Sequence, residues 1–225
     1  MAGSLNPFLN PAAMSDYVRE TPGKVPGLAD LHKMAALLLA EQASGTADML
    51  VVGAGGGLEI RAMAEIWPDW RFTGVDPSPV MLDIARQTTS LCAERTHLIR
   101  GTAMDAPAGP FDGAVCLLTL HFLDWHERLE TLREIRRRLK PSGVFVAAHH
   151  TEIDGQAHLW LARSAAFASG PTSAPGQAAA SAKAMAERLP LLSQDQEEAC
   201  FREAGFQHLS LFYAALSFRG WVMIA

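Results

Sequence analysis

The chain has 225 residues, 49% apolar and 19% charged, a balance that excludes a disordered chain and suits one α/β domain with a sizeable core. A formal net charge of −5 gives no long-range attraction to a polyanion, which weighs against nucleic acid as a partner. Cys92, Cys116 and Cys200 are widely spaced and odd in number; they predict reduced, buried thiols of a cytoplasmic protein rather than a disulfide framework or a metal site. The start lacks a secretory pattern, and the longest apolar run, Met34 to Ala40, falls far short of a membrane span.

In chain order, residues 12–20 read as a helix, Thr21-Pro22-Gly23-Lys24-Val25-Pro26-Gly27 as a turn-rich hinge, and Leu28 to Gln42 as an apolar-rich helix. Met49-Leu50-Val51-Val52 is then a short strand that breaks at Gly53-Ala54-Gly55-Gly56-Gly57, and a helix opens at once with Leu58-Glu59-Ile60. Glycine lets the backbone turn sharply and lets a ligand approach the main chain, while the helix start offers N–H groups to a polar part of that ligand. This spacing predicts a nucleotide-type cofactor site. A dinucleotide fingerprint needs a third small residue where Leu58 stands, and a P-loop needs a Lys-Ser or Lys-Thr that is lacking.

A second strand, Arg71 to Val75, ends at Asp76, roughly 20 residues past the loop, where an acid can bind ribose hydroxyls. Ser78 with Pro79 behind it reads as a helix start. Strand and helix alternate to about residue 150, which predicts a parallel sheet covered on both faces. Asp124 and Glu127 form a capping box for a helix stopped by Lys140-Pro141-Ser142-Gly143. An Ala-rich segment over 151–192 is interrupted by a connector from Ser169 to Gly176. A capped helix from Ser193 to Ala204 and two β-like runs, Gln207 to Tyr213 and Ser217 to Ile224, close the chain as an edge hairpin.

The ordered set of glycine loop, Asp76, His97-Leu98-Ile99-Arg100-Gly101-Thr102-Ala103-Met104-Asp105, Phe111-Asp112-Gly113-Ala114-Val115-Cys116 and Leu139-Lys140-Pro141-Ser142-Gly143 resembles the class I S-adenosylmethionine-dependent methyltransferases. The resemblance implies a doubly wound, Rossmann-like, mostly parallel seven-stranded sheet with a C-terminal antiparallel hairpin and helical lids. One domain would divide into an N-terminal lid (1–44), a cofactor-binding core (45–150), a helical insert (151–192) and a C-terminal helix and hairpin (193–225). Gly53, Ala54, Gly55 and Gly57 would hold the methionine end of S-adenosyl-L-methionine, Asp76 and Pro77 the ribose, and Thr102, Ala103 and Met104 the adenine, with Leu118 completing the lining. Two departures are Val51, where the family usually has an acid, and Thr102, where it often has one.

Val25-Pro26-Gly27, Leu118-Thr119-Leu120-His121-Phe122-Leu123 and Glu203-Ala204-Gly205-Phe206 are also similar to the carboxy-S-adenosylmethionine-dependent tRNA wobble-uridine methyltransferases. The arginine that would grip the extra carboxylate is missing, with Lys183 the only cation over residues 177–186. Ordinary S-adenosylmethionine and a small-molecule acceptor are therefore expected over the tRNA alternative. A NAD-dependent oxidoreductase, a silent cofactor-binding protein and a homodimer stay open. His121, after the fourth strand, and His149 or His150, past the fifth, are the candidate catalytic residues, and alternation points only one of the last pair inward. Trp160 is the aromatic expected at the substrate, and Arg136-Arg137-Arg138 reads as complementing a helix dipole.

Overall fold

The computed structural model describes residues 6–43, 45–170 and 176–225. In order, the elements are α1 (Pro11–Met14), α2 (Tyr17–Lys24), α3 (Leu28–Ala40), β1 (Asp48–Val52), α4 (Leu58–Ile66), β2 (Arg71–Asp76), α5 (Pro79–Thr88) and β3 (Thr96–Arg100). There follow β4 (Phe111–Leu117), α6 (Trp125–Arg138), β5 (Leu139–His150), α7 (Ala157–Ser169), α8 (Gln177–Arg188), α9 (Gln194–Glu203), β6 (Gln207–Ala215) and β7 (Phe218–Ile224). The connector expected from Ser169 to Gly176 lies largely outside the described residues, at 171–175.

The strands form one seven-stranded sheet in the order β3-β2-β1-β4-β5-β7-β6. Pairings from β3 to β5 are parallel, and β7 pairs antiparallel with both β5 and β6. This is the doubly wound sheet and C-terminal hairpin that the sequence predicts. The strand order reverses between β1 and β4, so the crevice where ligands bind in such sheets opens at their carboxyl ends.

Alternation along the strands divides the core between the two faces. Met49, Val51, Val115, Val144, Val146 and Ala148 pack under α3 and α4. Leu50, Val52, Ala114, Cys116, Phe145 and Ala147 pack under α6 and α9. Burial on both faces is why these strands read as unbroken apolar runs.

Helix ends follow the predicted caps. Ser78 accepts from Met81 N–H, and reciprocal capping boxes join Asp124 with Glu127 and Ser193 with Gln196. Two boundaries differ from the sequence reading. The first expected helix breaks between Met14 and Tyr17, and Thr21-Pro22-Gly23-Lys24 is helical rather than hinge. Thr21 Oγ1 donates to Tyr17 O at 2.6 Å and Lys24 pairs with Glu20 at 2.9 Å, so the side chains hold the turn despite the N–H that Pro22 lacks. Only residues 25–27 form the bend, with Gly27 at φ 67°. The other difference is that α6 ends at Arg138, before the Lys-Pro-Ser-Gly turn, because Leu139 already pairs with Phe111.

Candidate active site

The loop 53–57 leaves β1 and lies against the segment that leaves β4. A Cβ on Gly53 (φ +73°) would sit 2.0 Å from Thr119 Oγ1, so only glycine fits there. The N–H groups of Gly53 and Ala54 both donate to Val75 O, at 2.9 Å each. Asp76 then closes the loop onto β2: its Oδ2 accepts from Gly55 N–H at 2.9 Å and its Oδ1 from Ser78 N–H at 2.8 Å. Its side chain is buried, and burial raises its pKa against the lowering effect of those N–H groups. A carboxylate has about four acceptor positions, so this one retains capacity for a ligand.

A cavity of about 500 Å³ opens from this loop, lined on one side by Gly53, Gly55, Asp76, Pro77, Thr102, Ala103, Met104 and Leu118. These predicted residues are thus brought to one surface. Ala54 and Gly57 are not part of the lining; they serve the loop itself, Gly57 N–H donating to Ala54 O at 2.8 Å. The Thr102 hydroxyl is engaged in its own cap, donating to Asp105 and accepting from Met104 N–H. Arg138, buried and not exposed as a dipole-complementing residue, donates to the carbonyls of Met104, Ala106 and Pro107 and so fixes the segment around Met104.

The other side of the cavity is built by the N-terminal helices and the insert. Phe8, Met14, Tyr17, Val25, Leu28 and His32 contribute from the first, and Ser164, Ala165, Ala168 and Met185 from the second. Tyr17 lies across the loop, and a Cβ on Gly56 would meet its ring at 2.8 Å. Trp160 is not in the lining; its ring stacks under Arg163 at 4.3 Å, which keeps it at the surface of α7. Lys183 is also turned away, beside Glu187, while Met185 faces in.

His121 is buried at the cavity wall in a short 3-10 turn after β4. Its Nδ1 accepts the His150 backbone N–H at 3.3 Å, which places its own proton on Nε2. Burial, with His150, His149 and Arg128 nearby, holds its pKa well below the usual value. His121 is therefore a neutral N–H donor and has no vacant basic nitrogen. His149 and His150 point to opposite faces of β5, as alternation requires. His150 lines the cavity, its Nδ1 2.7 Å from Ser217 Oγ, and burial lowers its pKa to about 3. His149 instead lies on the α6–α9 side, with Nε2 2.9 Å from Glu197, which also pairs with the buried Arg128. The imidazole facing the cavity is thus His150, not His149.

Two more groups were not read as site residues from the sequence. Glu59, in the first turn of α4, lines the cavity at 8% exposure, and burial raises its pKa to about 8. His32 lies on the buried stripe of α3 with Leu28, Leu31, Ala35 and Leu39, and burial lowers its pKa to about 4. The helical period places His32 on the buried face; for Glu59 only its position just after the glycines gives a signal. Among the described residues, no group of His, Cys, Asp and Glu is arranged to hold a metal ion, and no helix is long and apolar enough to cross a membrane.

A glycine loop after β1 and a strand-end acid on β2, both beside the topological switch point between β1 and β4, are the features of a Rossmann-like nucleotide-cofactor fold. Residues 49–143 match the family model of methyltransferase domains. No curated protein sequence matches the chain. Among solved structures, a Nostoc punctiforme protein described as an O-methyltransferase is similar at 22% identity and TM-score 0.67, over 89% of this chain and 57% of its own. PigF, solved with S-adenosylhomocysteine, is similar at 18% identity and TM-score 0.68, over 98% and 61%. A family 2 O-methyltransferase from Planctomyces limnophilus in complex with apigenin is similar at 16% identity and TM-score 0.61, over 87% and 61%. The chain spans less than two thirds of the length of each of these three, and at these identities they share its fold.

Proposed function

We propose that the protein transfers a methyl group from S-adenosyl-L-methionine to a small-molecule acceptor. The observation that carries this reading is a single cavity with two differently built sides. One is a glycine loop with a strand-end carboxylate; the other is an apolar chamber covered by α2, α3, α7 and α8. The loop residues fit the cofactor: a Cβ on Gly55 (φ +45°) would have only ordinary neighbours, Tyr17 and Met81 at 3.6 Å, and would project among the cavity-lining groups. Asp76 would hold the ribose, Gly53 and Gly55 the methionine end, and Thr102, Ala103, Met104 and Leu118 the adenine side.

When bound, the cofactor supplies a methyl group on a sulfonium. The protein's part is then to align the acceptor and keep water away. Leu28, Phe122, Met185 and Phe218 give the acceptor chamber apolar walls, and His121 offers it one N–H donor. Structural neighbours that include an O-methyltransferase with bound apigenin support an acceptor of small-molecule size. The N-terminal helices and the insert act as lids over it.

The test is a thermal-shift series with S-adenosylmethionine, S-adenosylhomocysteine and NAD, followed by mass spectrometry of whatever co-purifies. Stabilisation by the first two alone is the expected result. Stabilisation by NAD alone would overturn the proposal, and a co-purified carboxylated cofactor would move it to the tRNA-modifying alternative.

A further inference from the structure

Glu59 receives a hydrogen bond from its own backbone N–H, but among the described residues it has no opposite charge beside it. Its carboxyl lies in the wall of the cavity, more than nine-tenths buried, and no lysine or arginine among the described residues pairs with it. Arg61, two residues on, reaches toward Glu65 at 4.0 Å instead. Lys24, also in the lining, pairs with Glu20. Removing a carboxylate from water without an opposite charge is unfavourable by several kcal/mol as an order of magnitude. A helix first turn favours acids electrostatically, but that effect needs no burial. Asp76 cannot compensate, being a second acid in the same cavity.

We infer that Glu59 is the counter-charge for the α-ammonium group at the methionine end of the cofactor. This rests on the methyltransferase reading of the site. S-adenosylmethionine brings two cations, the sulfonium and the ammonium. A carboxylate against the sulfonium would favour the charge that transfer destroys, and so would hold back the reaction. The ammonium keeps its charge throughout, so a carboxylate there binds the ground state and the transition state alike. The position agrees: Glu59 follows the loop 53–57 by two residues and lines the same cavity as Gly53 and Gly55.

The titratable groups coupled electrostatically to Glu59 are Tyr17 from α2, Asp76 from β2 and Cys116 from β4. The Glu59 charge raises the pKa of Tyr17 and of Cys116, both chiefly displaced by burial, and Asp76 adds to the rise at Glu59. None of these is a cation. With its pKa raised by burial to about 8, Glu59 holds a proton at neutral pH, and the arrival of an ammonium group would expel it. Binding at pH 7 should therefore release a proton.

The experiment is titration calorimetry of wild type and Glu59→Gln with S-adenosylmethionine, S-adenosylhomocysteine and methylthioadenosine, the last lacking the amino-acid end. Glutamine matches the protonated acid in shape and charge and should not impair folding; methylthioadenosine affinity reports directly whether the site is intact. The expected result is a loss of at least about tenfold for both S-adenosylmethionine and S-adenosylhomocysteine, as for a charged hydrogen bond, with methylthioadenosine unchanged. In buffers of different ionisation enthalpy, wild type should release a proton with S-adenosylhomocysteine and Glu59→Gln should not. A loss confined to S-adenosylmethionine would place Glu59 at the sulfonium and overturn the inference, as would equal affinities of the two proteins. Failure of the wild type to bind any of the three ligands would instead overturn the reading of the site itself.

Discussion

Replacing Asp76 with Asn tests whether one carboxylate serves both the loop and the proposed cofactor. In the protein it accepts two backbone N–H groups, from Gly55 at 2.9 Å and Ser78 at 2.8 Å. An amide keeps one oxygen acceptor and turns an NH2 group toward the other N–H, so one anchor of the loop is lost. An unmet buried N–H costs about 1–3 kcal/mol, partly offset because the neutral amide avoids the burial that raises the acid's pKa. The melting temperature should therefore fall modestly. The ligand's ribose would lose a hydrogen bond to a charged group, about 1.5–3 kcal/mol, which corresponds to a Kd raised by roughly 10- to 150-fold. Calorimetry with S-adenosylhomocysteine on folded Asp76→Asn measures this directly. If melting falls while Kd stays within about threefold of wild type, Asp76 anchors the loop and does not hold the ribose.

Gly55→Val should lose the thermal stabilisation given by S-adenosylhomocysteine, with some loss of its own stability from the positive φ of +45°; normal ligand stabilisation in this variant would show that the loop is not at the ligand. Stability without ligand should depend on pH with opposite slopes on two limbs. His32 and His150 have folded pKa values lowered to about 4 and about 3, so their contribution is complete above about 6.5 and is lost as pH falls through the folded values. Glu59 is raised to about 8, so its contribution is complete below its unfolded value of 4.5 and is lost as pH rises through about 8. Thermal melts across pH 4 to 9 should show a maximum at about pH 6, and Glu59→Gln should flatten the alkaline limb; an unchanged limb would remove Glu59 as its source. Gel shifts with tRNA at low salt should show no submicromolar binding, since few cations lie in the N-terminal helices and the insert; tight binding that falls steeply with salt would sink the small-molecule reading.

Local rules were enough for much of this protein. The glycine loop, Asp76 at a strand end, the Ser78, Asp124 and Ser193 caps and the closing hairpin all depend on residues close in sequence, where propensity and hydrogen bonding decide. Period-two alternation required one of His149 and His150 to face each way, but which one depends on what covers each face of β5. Only the packing of α6 and α9 sets Glu197, held by Arg128, beside His149 and leaves His150 to the cavity. The same limit applies to Thr21, Pro22 and Gly23, whose turn-like composition is overridden by side-chain bonds within α2. Glu59 and Tyr17 carry no local sign of sharing a site, because their burial comes from segments more than 40 residues apart in sequence closing over one loop. Neighbouring residues set the glycine loop, the strand-end acid and the helix caps; tertiary packing decided which charged and aromatic groups share the cavity, since desolvation depends on everything that surrounds a group.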